Sequence, residues 1–524
     1  MKGKDAFIFP ESRIPSQVPL TFLSALLSGI LAHGTGLWNK LSWHDDIQAL
    51  FWEGSTISSG RWMLHVLGWL EKLFFESGHF SLPAFNGLFA LCMIGIAAAI
   101  MVHLLKIRRK VCCMGLGCLT AVFPTVTALF GYMFTIHYYM LAMVMMVVST
   151  YMICGKRKWW IKAFAVLIGG CSLGIYQAFF PLMPGILLIW NMDRLADKEE
   201  KTIGFLKQAF TQVLCMVGVI CFYFVMNRFF LHKFELEANS YMGINQMGST
   251  AVAEYLIRMK SAYLEFFLPS RYVSADMYPL RAWHLYHIML AVDLILGILH
   301  GVRIWKHSWK KAILFLLMAA LFPLANNLIY VMAEPDHIHG LMTFGLTAQF
   351  VLFAYLVDRT DFRDMFRSTA VERSLRRGLS ISAAIILGLM GIIYVRFDNQ
   401  CYLKATFQQQ EAISFFTALS AQIKATPGFQ DDTPVVFLNG QEISDRTLYH
   451  MEELDFIHLD PYGENIYGYV NSYAWQTFME RWCGFCPAWA DPSGYETLPE
   501  VKSMPHYPDD GSIQMLGNTV VVNF

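Results

Sequence analysis

Two carboxylates stand side by side in the run LSWHDDIQALFWEGSTISSGRW, residues 41–62. Asp45 and Asp46 follow directly on an apolar stretch of membrane length, in a chain that otherwise keeps charge away from its apolar runs. A carboxylate at a membrane surface can take the proton of an attacking hydroxyl or hold a metal ion. The same residues also suit a helix start. Ser42-x-x-Asp45 has capping-box spacing, with Ser42 as N-cap and Asp45 against the helix dipole. Neighbours on a helix point about 100° apart, so the pair does not readily serve one small centre. One is expected to do chemistry and the other to orient or cap. In Gly60-Arg61-Trp62, the planar fork of Arg61 suits a lipid phosphate, or the side chain simply snorkels from an interfacial helix.

Other candidates are scattered along the chain. Glu334, Asp336, His337 and His339 crowd the short run AEPDHIHG, a set that can bind a divalent ion or touch a phosphate. Polar turns between membrane spans have the same composition. Arg228, Arg271, Arg281 and Arg396 fall near one membrane surface and are further candidates for a lipid-linked phosphate. Asp293 lies mid-span, where a charge costs roughly 2.5–3.5 kcal/mol. It must be protonated or paired, with Asn326 and Asn327 as expected partners. Cys483-Gly-Phe-Cys486 lacks the context of a redox or zinc motif and reads as a local disulfide. No P-loop, GxGxxG, HExxH or GxSxG occurs in a suitable context, which argues against a nucleotide-driven engine.

The elements that must position these groups are membrane helices. The chain of 524 residues is 55% hydrophobic and only 15% charged, with mean hydropathy +0.41; soluble chains carry about 25% charge. Net charge is zero, so nothing points to nucleic acid. Runs of membrane length predict eleven spans: 18–38, 83–105, 111–130, 134–154, 159–178, 180–192, 205–230, 283–304, 312–333, 339–357 and 379–396. The sixth is short and holds Pro181 and Pro184. Basic loops at 106–110, 156–158, 303–311 and 359–377 follow spans two, four, eight and ten. The positive-inside rule puts them, and the N-terminus, in the cytoplasm. Residues 39–82, 232–282, 334–338 and everything after 397 are then outside. Residues 61–75 read as an interfacial helix with Trp62 and Trp69 at headgroup level, and a second such helix is expected near 263–272.

The last 128 residues change in composition. Residues 402–425 have helical periodicity, PVVFLNG reads as a strand ended by an Asn-Gly turn, and IQMLGNTVVVNF as a hairpin around Gly517-Asn518. The expected division is a membrane domain, 1–396, and a small mixed α/β domain, 397–524, outside the cytoplasm.

The pattern W-H-D-D-I-x-x-L, then G-R-W, then Leu82-Pro83, resembles the Gtr type II family of bacterial glucosyltransferases. Phe123-Pro124 and Gly174-Ile175-Tyr176-Gln177 fit as well, and the resemblance runs over about 20–400. It implies a GT-C-like bundle, with interfacial helices in its outer loops, in a bacterial plasma membrane. It implies transfer of a sugar, glucose by the family's name, from a polyprenyl-phosphate donor to a cell-surface glycan or glycolipid. The first-loop acid, Asp45 or Asp46, would be base or metal ligand, and Arg61, Arg271 and Arg396 the candidates for the donor phosphate. Some such enzymes use a divalent cation (Mg or Mn) and others none. The competing readings are a polysaccharide polymerase or ligase, which usually relies on a large basic outer loop, and a glycolipid transporter or flippase, for which repeats are expected and none is visible.

Overall fold

A computed structural model of the chain describes residues 15–42, 44–48, 53–75, 81–239, 252–268, 279–333, 338–362, 369–440, 452–460, 462, 470 and 472–524. Arg271, Glu334, Asp336 and His337 lie outside these described residues. The fold is mostly helical, with a small C-terminal sheet.

Helix α1 (Gln17–Trp38) is followed by short helices α2 (His44–Gln48) and α3 (Glu53–Ser58), then by α4 (Trp62–Phe75). The long helix α5 (Pro83–Leu105) begins on Pro83, whose missing N–H costs nothing at a first helical position. Helices α6 (Lys110–Val122) and α7 (Pro124–Phe130) are one apolar run broken at Phe123, because Pro124 cannot continue the hydrogen-bond ladder. Then come α8 (Ile136–Ile153), α9 (Trp159–Ile175), α10 (Leu182–Ala196), α11 (Thr202–Lys233), α12 (Val252–Phe267), α13 (Leu280–Trp305), α14 (Trp309–Asn326), α15 (Ala348–Arg359) and α16 (Thr369–Ala425).

Among the described residues, eight helices are long and apolar enough to cross a membrane. The other three of the eleven expected spans are shorter: α9 has 17 residues, α10 has 15 and α15 has 12. The cause is local. Residues 176–181 form an extended residue and a 3-10 turn between α9 and α10, and 340–347 make two 3-10 turns before α15. Both irregular stretches are buried against each other, with the Tyr176 hydroxyl donating to Leu341 O at 3.0 Å. Non-helical backbone at membrane depth is tolerated where protein surrounds it.

The 57-residue α16 runs unbroken through position 396, where the polarity change suggested a boundary. At about 1.5 Å per residue it is roughly 85 Å long, far more than a bilayer needs. Its far half carries strand β1 (Val435–Leu438), helix α17 (Trp475–Trp482) and the hairpin β2 (Ile513–Leu516) and β3 (Thr519–Asn523). The sheet order is β1-β3-β2, parallel between β1 and β3 and antiparallel between β2 and β3. Asn439 ends β1 with φ 54°, and Gly517 turns the hairpin with φ 62°, as the Asn-Gly and Gly-Asn pairs predict.

The two ends of the bundle differ. One gathers the basic loops. Arg109 donates to Thr360 O and Ser380, Arg303 to Asp361 O, Arg359 pairs with Asp193 at 2.9 Å, and Pro15, Lys106, Arg108 and Arg157 line one cavity of about 530 Å³. The other end gathers residues 40–42, 44–48, 53–61, 81, 134–139, 176–177 and 339–341 with the C-terminal segment.

Four sequence expectations change. Trp62 is not at a headgroup but 2% exposed, stacked on Phe230 at 5.4 Å. Only the far end of α4 (Trp69, Leu73, Phe74, Phe75) is exposed. Asp293 is buried, and the side-chain amide of Gln349 on α15 donates to it, whereas Asn327 turns instead to Ala262 O. Cys483 and Cys486 are free thiols: Cys483 faces Ile413 O from a half-buried site and Cys486 is exposed. The interfacial helix expected near 263–272 begins earlier, as α12, and buries Arg258 and Glu265 against the bundle.

Helix contacts set an immediate test. A methyl on Gly117 would lie 2.3 Å from Thr21 O, a backbone atom of α1 that cannot rotate away, whereas Gly34 has nothing within 4 Å. Gly117→Ala should cost about 1–3 kcal/mol by overpacking, and Gly34→Ala should be neutral or slightly stabilising. Thermal unfolding of the purified variants reads both.

Candidate active site

Asp46 is wholly buried. Its Oδ2 accepts from Lys40 Nζ at 2.7 Å, Ser81 Oγ at 3.0 Å and Ser42 Oγ at 3.1 Å, and its Oδ1 accepts the backbone N–H of Phe134 at 3.0 Å. Lys40 also donates to the hydroxyls of Ser42 and Ser81. Ser42 therefore spends its hydroxyl on Asp46. Gln409 of α16 clamps the same turn, its amide N donating to Lys40 O at 2.9 Å and its Oε1 accepting Ser42 N at 3.3 Å. Asp45, one residue before, is exposed. The hydroxyl of Tyr473, in the turn before α17, donates to its Oδ1 at 2.7 Å. The adjacent carboxylates thus have opposite environments, as the 100° helical offset requires.

The segment 134–139 is the hub that sequence reading missed. Besides Phe134 N on Asp46, Tyr138 donates to Glu71 of α4, and Tyr139 accepts from Arg61 Nη1 at 3.1 Å. The Arg61 guanidinium lies 5.9 Å from the Tyr139 ring centre and 5.7 Å from that of Tyr176, and the two rings stack at 4.5 Å. Arg61 is half-buried, held flat by aromatic faces as a planar cation prefers.

The Gly60-Arg61-Trp62 and Gly174-Ile175-Tyr176-Gln177 motifs pack directly on each other. Gln177 donates to Gly60 O at 3.2 Å and to Tyr223 at 3.0 Å. A Cβ on Gly174 would strike Trp62 at 2.5 Å, and one on Gly60 would strike the Tyr223 hydroxyl at 2.3 Å. Gly60 also has φ 78°, which only glycine adopts cheaply.

The C-terminal segment reaches into this end. Arg481 donates to Ile47 O at 2.6 Å, and His339 Nδ1 meets Asp460 at 2.8 Å. The buried Tyr462 hydroxyl donates to Thr127 O at 3.1 Å, and burial holds that phenol well above its ordinary range, so it stays a donor. Arg396 is not with Arg61. It lies on the exposed flank of α16, by α1 and α6, whereas Arg61 sits among α8, α9 and α11. Among the described residues no group of three His, Cys, Asp or Glu side chains comes together for a metal. Asp46, with both oxygens already accepting, does not fit an ion shared by the pair.

Residues 34–353, more than half of the chain, match the family described as Glucosyl transferase GtrII. The chain belongs to the GtrII glucosyl transferase family. No curated protein matches it. Among solved structures, it is similar to the archaeal oligosaccharyltransferase AglB from Archaeoglobus fulgidus, in complex with an inhibitory peptide and a dolichol-phosphate. Identity is 12% and the TM-score 0.38 over 91% of this chain. The match spans 64% of that protein's length, and at that score it carries no structural argument. The Gly60 and Gly174 contacts show how the family's motifs meet in this GtrII chain.

Asp46→Ala would leave Ser42, Ser81, Phe134 N and Lys40 facing an empty carboxylate site. Lys40 is 37% exposed and can turn to water, so the expected loss is about 2–3 kcal/mol rather than the full cost of breaking a buried pair. Asp45→Ala should be within about 0.5 kcal/mol of the parent. Thermal unfolding in detergent separates them; equal losses would contradict the assignment of the structural role to Asp46.

Proposed function

We propose that the protein transfers glucose from a polyprenyl-phosphate donor to a cell-surface glycan or glycolipid at the extracytoplasmic face of a bacterial plasma membrane. The observation that carries this reading is the exposed Asp45 carboxylate at the same end of the bundle as Arg61 on its stacked tyrosines. The clustering of the basic loops at the opposite end supports a cytoplasmic assignment for that end. The chain then divides into a membrane catalytic unit, 1–396, of GT-C-like arrangement, and an extracytoplasmic unit, 397–524, that helps hold the acceptor.

The chemistry follows from position. A lipid donor keeps its tail in the bilayer and its phosphate at the interface. Arg61 binds that phosphate and stabilises the negative charge that grows on it as the glycosidic C–O bond breaks. Asp45 accepts the proton of the acceptor hydroxyl as its oxygen attacks the anomeric carbon. The Tyr473 hydroxyl fixes the carboxylate's rotamer. Asp46 positions the loop.

Purified protein supplied with polyprenyl-phosphoglucose and a candidate glycan tests this. Asp45→Asn should lower kcat about 10²–10⁴-fold with unchanged stability. Arg61→Lys keeps charge but loses the planar fork and should mainly raise the donor KM. Full transfer by a folded Asp45→Asn variant would sink the assignment. Sugar release without transfer would indicate a wrong acceptor.

A further inference from the structure

We propose that the groove where α1, α6 and α16 meet holds one anionic phospholipid of the surrounding bilayer, with its phosphate against Arg396. The groove has a volume of about 630 Å³ and walls that are mostly apolar, among them Leu31, Cys118, Gly388, Gly391 and Ile392. Gly388 has nothing within 4 Å of where a Cβ would stand, so the floor on α16 is open. Along the groove the Asn399 amide donates to Leu31 O at 3.1 Å and Ala32 O at 3.3 Å, which ties α16 to α1. Arg396 stands one turn before Asn399, exposed, and no hydrogen bond or ion pair engages it among the described residues.

Spacing fixes the depth. Arg396 is nineteen positions after Arg377, with no charged residue between. On a continuous helix that is about 28 Å, close to the roughly 30 Å hydrocarbon thickness. Arg376 and Arg377 are at the basic-loop end, where Arg109 reaches Arg376 O. Arg396 is therefore at the phosphate level of the opposite leaflet, with the apolar groove wall of Gly388, Gly391 and Ile392 beneath it. An arginine there with an apolar slot below is complementary to a phosphate-headed lipid.

The occupant is a bilayer phospholipid rather than the sugar donor. Gln409, which clamps Lys40 and Ser42 beside Asp46, lies thirteen residues further along α16, about 20 Å away. A donor with its sugar at Asp45 cannot also place its phosphate at Arg396. This last step rests on the proposed role of Asp45.

Native mass spectrometry of the full-length protein, after incubation with phosphatidylglycerol or phosphatidylcholine, is the test. One phosphatidylglycerol should remain bound in preference to phosphatidylcholine. Arg396→Gln should lower its retention about fivefold, Arg396→Lys should keep it, and Gly388→Leu, whose Cβ enters open space on the groove floor, should exclude both lipids. Equal retention by all variants, or equal retention of the two lipids, overturns the proposal. So does displacement of phosphatidylglycerol by equimolar polyprenyl phosphate, which would give the groove to the donor. The readout is bound mass, so an Asp45→Asn variant that kept transfer activity would refute the catalytic role without touching this result.

Discussion

The Asp46 carboxylate is the constraint on which the active end is built. A buried charge is tolerated only when its oxygens are satisfied, and here the donors come from three places in the chain: Lys40 and Ser42, Ser81, and the backbone of Phe134. Satisfying that one group ties the end of α1 to the start of α5 and to the turn before α8. With Asp46 turned inward, the helical offset turns Asp45 outward. The pairing of two identical side chains thus produces two unlike groups, one that fixes the loop and one that faces solvent.

A second layer of order comes from aromatic and glycine contacts. Arg61 is pinned by Tyr139 and Tyr176, and those tyrosines are themselves pinned, Tyr176 by Leu341 O and the 134–139 segment by Asp46. The close approach of the two motif stretches requires Gly60 and Gly174, because any side chain would push Tyr223 or Trp62 away. The membrane bundle does not finish the site alone. Tyr473 and Arg481 bring the C-terminal segment onto the first loop, and α16 carries that segment there without a break. A continuous helix makes the far segment's position depend on the bundle's own packing.

Much of this was legible beforehand where the signal is local. The spans of strong uniform apolarity, the helix at 62–75, the strand before Asn439 and the hairpin at Gly517 depend on neighbouring residues alone. That Asp45 and Asp46 face unlike surroundings was legible from the helical offset between neighbours. Which of the two is buried was not, because Ser81 and Phe134 are 35 and 88 residues from Asp46 and Tyr473 is 428 from Asp45. Trp62 reads as an interfacial anchor by type, yet Phe230, far along the chain, covers it. Asp293 needed a partner, and the amides nearest in type were Asn326 and Asn327. The partner is Gln349, because the 3-10 turns before α15 shift that helix's register. Hydropathy falls after Val395, yet one helix continues without a break to Ala425.

The most direct measurement is a cryo-electron microscopy structure of the protein in lipid nanodiscs with a non-reactive polyprenyl-phosphate sugar bound. The account predicts the donor phosphate within hydrogen-bond distance of the Arg61 guanidinium, the sugar facing Asp45, and Asp46 still bonded to Lys40, Ser81 and Phe134 N. A donor whose sugar faces an Asp46 swung out of its pocket, or whose phosphate rests on Arg396, would contradict it.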